Sequence, residues 1–286
     1  MKDSIFGKDL KECETLMVDR KEPKYRGGQL FQWLYEKKCE NFNDMTNFSN
    51  NLREKLAKDF ELNHGRIAQI QEDHHDGTKK FLIELWDKQF IETVLMPYQH
   101  GASLCVSTQV GCNMGCKFCA STKGGKIRNL TAGEILDQIF LVEKNENIRI
   151  SNIVIMGIGE PFDNYDAVLK FIRIANAGFG IGQRKISLST CGIVPGIKAL
   201  ANENLQINLA ISLHSVFQNR RQELMPIAGK YDLDTLLSAC REYFEKTGRR
   251  ITYEYSVMDG FNDRDEDIDG LVNLLKGSQN HLNLIG

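Results

Sequence analysis

The sequence predicts an α/β protein: an open, partial (β/α)6 barrel preceded by a small helical accessory domain. Three observations carry that expectation. From about residue 102 onward, strand-like and helix-like stretches alternate, which implies a parallel sheet. The first ninety residues follow another pattern, helices and then a hairpin. A run of three cysteines falls directly after the first strand of the alternation, at the strand ends where parallel β/α proteins place their chemistry.

The elements follow in chain order. Leu30, Phe31, Trp33, Leu34 and Tyr35 supply the apolar side of a helix over 23–38, opened by Arg26-Gly27-Gly28. Leu52, Leu56 and Phe60 recur at four-residue intervals, a second helix over 48–60. Residues 80–85 and 90–95 alternate apolar and polar around Trp86-Asp87-Lys88-Gln89, which reads as a hairpin. Strands are predicted over 103–107, 152–156, 185–190, 207–213, 251–257 and 281–285, with helices over 131–144, 165–177, 194–203, 233–247 and 264–276. Thr131 and Glu134 fit a capping box at the first of these helices. Six such units are fewer than the eight of a closed barrel. The division expected is a helical accessory domain over 1–75, a hairpin linker over 76–101 and the barrel over 102–286.

Bulk properties narrow the class. Of 286 residues, 42% are hydrophobic and 26% charged, an ordinary globular composition. No apolar stretch approaches the roughly 20 residues of a membrane span, and Met1-Lys2-Asp3-Ser4 lacks the apolar core of a secretory signal. Eight cysteines, three of them close together, do not form a disulfide framework in a chain this long and fit a reducing compartment with a metal site. The expectation is a cytoplasmic monomer. A net charge of −2 decides nothing about nucleic acid, although basic clusters at 20–26, 123–128, 220–221 and 249–250 are candidates for phosphate contacts.

Cys112, Cys116 and Cys119 form a Cys-x3-Cys-x2-Cys run with no fourth cysteine close behind. Iron–sulfur clusters normally take four thiolates, so three suggest a [4Fe–4S] cluster with one iron left for a non-protein ligand. A structural zinc site would use four ligands in pairs, and no second pair follows at finger spacing. The open iron suits the amino and carboxylate groups of S-adenosylmethionine. Further polar motifs end the next strands. Gly157-Ile158-Gly159-Glu160-Pro161 allows close backbone approach and offers a carboxylate to an amino group. Ser189 and Thr190 end the third strand, and Ser212-Leu213-His214 ends the fourth. Their hydroxyls and imidazole suit ribose or carboxylate.

With these motifs in view the sequence resembles the RlmN family of radical-SAM RNA methyltransferases, of which the Cfr methylases are near relatives. The resemblance rests on Tyr25-Arg26-Gly27-Gly28-Gln29-Leu30, Ile91-Glu92-Thr93-Val94, the stretch from Cys105 to Cys112, Arg128-Asn129-Leu130-Thr131, Gly157 to Pro161, and Leu224-Met225-Pro226-Ile227. Ser189 to Pro195 looks like RlmN rather than Cfr. The resemblance implies methylation of carbon 2 of adenine in 23S rRNA and tRNA, with a [4Fe–4S] cluster and S-adenosyl-L-methionine as cofactors. It also implies an electron donor such as flavodoxin or ferredoxin. One S-adenosylmethionine methylates a cysteine near the C-terminus, and a second supplies the radical that activates that methyl group. By motif, Glu92 matches the proton acceptor and Cys105 the cysteine that resolves the product through a transient disulfide. Gly159, Glu160, Ser189, Ser212, Leu213 and His214 match contacts to S-adenosylmethionine, and Cys112, Cys116 and Cys119 the cluster ligands.

By residue type alone, Glu92 also reads as an exposed strand carboxylate and Cys105 as a small core residue. One departure from the family pattern stands out. The 286 residues end at Asn283-Leu284-Ile285-Gly286, where the family continues, and none of Cys13, Cys39, Cys191 or Cys240 has the Ala-Cys-Gly context of the methyl carrier. The expectation is a truncated member that binds cluster and S-adenosylmethionine without completing transfer. Two alternatives are a radical-SAM enzyme for another substrate and a non-catalytic RNA-binding remnant.

Overall fold

The computed structural model describes residues 3–62, 65–99, 101–277 and 279–286; Met1 and Lys2, part of the N-terminal signal reading, lie outside them. The chain forms two compact units. The first holds Met1–Val106, Leu130–Asn152 and Asp166–Gly182, and the second Ser107–Asn129, Ile153–Tyr165 and Gln183–Gly286.

In the first unit, Asp9 and Glu12 form a reciprocal capping box that starts the helix Leu10–Asp19. This helix is too polar to stand out in the sequence. The helix expected over 23–38 is an α-helix, Tyr25–Phe31, that widens into a π-turn over Gln32–Glu36. The wider turn accompanies an inward-facing Tyr35, whose hydroxyl accepts from Gly7 N at 2.9 Å and donates to Lys8 O at 2.8 Å. The next helix is Asn50–Asp59, capped by Ser49; Phe60 already belongs to a short strand. The hairpin forms as expected, with Lys79–Glu84 antiparallel to Phe90–Tyr98. Arg66–Glu72 and Gly101–Cys105 extend it on either side as antiparallel partners. Exposed at nearly every position, Arg66–Glu72 carries no apolar alternation to read. The Thr131 capping box opens Ala132–Glu146, which ends at Asn147 in the left-handed conformation.

In the second unit, strands Ile186–Thr190, Asn208–Ser212, Ile251–Ser256 and Asn280–Ile285 pair in parallel, each with the next, and Ile186–Thr190 pairs in parallel with Ile153–Ile155 of the strand before it. Val194–Leu200, Leu233–Thr247 and Asp265–Leu275 provide the helical returns. The central strands bury one face in the core through Ile186 and Leu188, Leu209 and Ile211, and Tyr253 and Tyr255. On the other face of the first, Ser187 and Ser189 are half-buried. The α/β class and the strand–helix alternation therefore hold. Among the described residues no helix is long and apolar enough to cross a membrane.

A radical-SAM site at the strand ends

The cysteine run lies on a loop whose ends are pinned by a small antiparallel ribbon, Gln109–Gly111 with Lys126–Asn129. Gly111 has φ +74°, and any Cβ there would overlap the Gly125 carbonyl oxygen. Glycine is therefore required where the two strands cross. Cys112 N donates to that same oxygen at 3.1 Å, and the Asn113 side chain accepts from Lys126 N at 2.7 Å. Farther along, Thr122 Oγ1 donates to Cys119 O at 3.0 Å, and Lys117 N donates to Leu224 O at 2.8 Å. The loop is thus tied along its length.

All three cysteines line one cavity of about 250 Å3, together with Gly159, Glu160, Ser189, Ser212 and His214. Burial pushes the Cys116 thiol up to about 12 and raises Cys112 as well. Without a cation these groups stay protonated, so metal binding must draw off the protons. Three thiols of one tied loop face a single cavity, the arrangement that a [4Fe–4S] cubane held by three protein ligands requires. The residues present therefore fit such a cluster.

The glycine loop closes another wall. Ile158 O accepts from Thr108 N at 2.8 Å and Gln109 N at 3.1 Å. Gly159 has φ +110°, and a Cβ there would stand 2.7 Å from both Thr108 Oγ1 and Gln109 Cβ. The Glu160 carboxylate lines this cavity with protein donors already in place. It is buried, accepting from Thr190 Oγ1 at 2.7 Å, Cys191 N at 2.8 Å and Phe162 N at 3.1 Å. Burial raises its pKa, and these donors pull against the rise. Its first task is to strap the glycine loop to the end of the Ile186–Thr190 strand.

His214 is held with φ +54°. Its Nδ1 accepts from Ser256 N at 3.0 Å, which places the ring proton on Nε2. Burial lowers its pKa to about 4, so a neutral imidazole offers one N–H donor to the cavity. Asn262 braces this corner, donating to His214 O at 2.7 Å and to Ser256 O at 2.8 Å. Phe118 meets the imidazole edge-on at 4.7 Å between ring centres. Leu213 is the exception among the expected contacts: its side chain is fully buried in the core and absent from the cavity lining. Only its backbone remains for a ligand.

The comparisons with known proteins decide the family. A family model described as the radical SAM superfamily matches residues 106–272, and one described as the ribosomal RNA large subunit methyltransferase N-terminal domain matches 4–62. A probable dual-specificity RNA methyltransferase RlmN from Clostridium perfringens is 50% identical over 284 residues, covering 99% of this chain and 82% of that protein.

The chain belongs to the RlmN family.

Another relative of the same name, from Bacillus cytotoxicus, is 48% identical and covers 99% of this chain and 80% of its own length. The crystal structure of a radical SAM methyltransferase from Sphaerobacter thermophilus superposes with a TM-score of 0.93 at 39% identity, over 99% of this chain and 84% of that one. The partial radical-SAM barrel and the enzyme class are therefore those of the RlmN family, which uses a [4Fe–4S] cluster and S-adenosylmethionine.

Two expected site residues, Glu92 and Cys105, stand in the first unit. Glu92 is half-buried on Phe90–Tyr98 and ion-paired with Lys80 at 3.1 Å; Cys105 ends Gly101–Cys105 and is also half-buried, not a core residue. All eight cysteines are free thiols, so no disulfide is present among the described residues. Several cavity residues escape the sequence reading: Met114, Thr122, Met225 and Glu254. Met225 stands within the Leu224–Ile227 stretch and Met114 within the cysteine run without being singled out there, whereas Thr122 and Glu254 carry no motif and are gathered only by the fold. The paired arginines 220–221 are not a phosphate-binding cluster. Arg220 is bound to Glu266 and, at 3.0 Å, to Asp267, while Arg221 is buried at 1% exposure.

Proposed function

We propose that this RlmN-family protein methylates carbon 2 of adenine in ribosomal and transfer RNA, working as a cytoplasmic monomer fed by a one-electron donor protein. The observation that carries the reading is one cavity holding three loop thiols, the glycine loop and the neutral His214 donor. The names of the relatives, dual-specificity RNA methyltransferases, extend it to RNA.

Cys112, Cys116 and Cys119 would hold three irons of the cluster. When bound, the cluster supplies the single electron that splits a carbon–sulfur bond of S-adenosylmethionine. The Gly157–Gly159 backbone would lie against the methionyl part, with Ser189, Ser212 and the His214 Nε2–H as hydrogen-bonding groups for its polar atoms. Glu92 would take the proton leaving carbon 2 of adenine, and Cys105 would resolve the covalent adduct, both by motif.

Expressing the gene in a host without its own 2-methyladenosine tests the proposal, with nucleosides of total RNA read by mass spectrometry. Appearance of 2-methyladenosine is expected when the expressed gene includes an Ala-Cys-Gly methyl carrier, a context that none of the cysteines in these 286 residues has. Release of 5′-deoxyadenosine under reduction with no 2-methyladenosine, from protein that carries such a cysteine, would point to another substrate. RNA binding without cleavage of S-adenosylmethionine, unchanged when all three cysteines become alanine, would leave only an RNA-binding remnant.

A further inference from the structure

Arg221 lies on the short helix Gln218–Leu224 and is the largest fully buried side chain of the described residues. Its Nη2 donates to Cys191 O at 2.8 Å and Ser212 O at 3.1 Å, tying two strand ends together. Its Nε–H is buried with no hydrogen-bond partner. The adjacent Arg220 has two carboxylates, whereas Arg221 forms no ion pair with one among the described residues. Cys191, whose carbonyl Arg221 holds, packs against Cys116 of the cysteine run.

A guanidinium taken out of water needs an anion, because two carbonyl dipoles do not replace its hydration. Cys191 and Cys116 line the cofactor cavity and pack with Leu224 and Met225, on the stretch that follows Arg221 in sequence. The same helix end holds the cysteine loop through Leu224 O and Lys117 N at 2.8 Å. One residue therefore joins a buried positive charge, two strand ends and the helix that anchors the cluster loop.

We infer that Arg221 is a positioning residue whose missing counter-charge is the iron–sulfur centre itself, and that it makes the cluster easier to reduce. The inference rests on the radical-SAM reading. Three thiolates and the cluster are net anionic, and reduction adds one more negative charge. A fixed cation beside them in low dielectric favours the reduced form.

The test uses anaerobically reconstituted protein, with the midpoint potential taken by redox titration followed by electron paramagnetic resonance. R221Q keeps an N–H donor and loses the charge; R221K keeps the charge and loses the fork. Both variants should carry as much iron and sulfide as the parent. R221Q should titrate at a more negative potential, and R221K close to the parent. An R221Q cluster at the parent potential overturns the inference. If R221Q is recovered unfolded, R221K decides: the parent potential supports a charge role, while a folded R221K with a displaced potential or no cluster shows that Arg221 acts by shape alone. Failure of the parent protein itself to assemble a cubane would instead sink the radical-SAM reading.

Discussion

At the scale of single residues, the site depends on groups whose ordinary ionisation burial has altered. His214 shows the sign most clearly. Its folded pKa, about 4, lies below the ordinary 6.5, so the folded state refuses a proton that the unfolded chain accepts. Stability from this residue is fully present above about 6.5 and is lost as pH falls toward 4. The loss is on the order of 3 kcal/mol, since each tenfold change in proton affinity is worth about 1.4 kcal/mol. Urea denaturation of cluster-free protein should show a stability difference between parent and H214N that shrinks by that order between the two pH limits. A constant difference would mean that the imidazole takes up its proton in the fold at the same pH as in the unfolded chain. Asn suits the substitution because it tolerates the positive φ. Glu160 and Arg221 teach the converse lesson about reading sequences. Gly-Glu-Pro marks the right loop, but the carboxylate's three donors come from Phe162, Thr190 and Cys191, and only the folded chain gathers them. Arg220 and Arg221 are identical in sequence terms and opposite in the fold, one ion-paired near the surface and one sealed inside.

At the scale of elements, the legible parts are those with strong local signals. Tyr165–Ala177 and Leu233–Thr247 have the bounds that their periodicity predicts. The strand expected over 103–107 instead ends at Cys105: Val106 and Ser107 continue the apolar alternation although the chain has already left the Gly101–Cys105 ladder. Ser107 Oγ accepts from Ile158 N of the glycine loop at 3.0 Å, a partner that local alternation does not reveal. Two elements can be tested directly. T131A removes the hydroxyl that accepts from Glu134 N at 3.2 Å at the start of Ala132–Glu146. It should cost about 1 kcal/mol in urea denaturation. G111A forces a side chain into the ribbon crossing at positive φ. It should cost about 2 kcal/mol or more and lower the iron bound after reconstitution. Normal iron loading in G111A would show that the ribbon does not set the cysteine loop.

At the scale of the molecule, the cofactor contributes to stability by mass action, because it binds the folded chain and not the unfolded one. Reconstituted protein should melt at a higher temperature than cluster-free protein. Hydrogen-exchange protection should rise most over 111–125, where the thiols sit, and over 218–226, which holds them. C112A, C116A and C119A should each abolish the gain while leaving the circular dichroism of the cluster-free fold intact. A gain that survives any of these changes would place the metal elsewhere. The basic clusters read from the sequence are largely committed to neighbours: Arg20 to Asp59 at 2.7 Å, Lys24 to Glu14 at 3.2 Å and Lys126 to Asp163 at 2.6 Å. Charge counting along a chain sees the cations and not the carboxylates folded against them.

The crossing of Gly111 with Gly125 limits how small a working imitation of this centre can be made. A synthetic peptide spanning only the three thiols would lack the backbone carbonyl that receives Cys112 N and the amide that engages Asn113. A minimal maquette must include the return strand through Asn129, and grafting the cysteines into a foreign barrel without it would transplant the ligands but not their spacing.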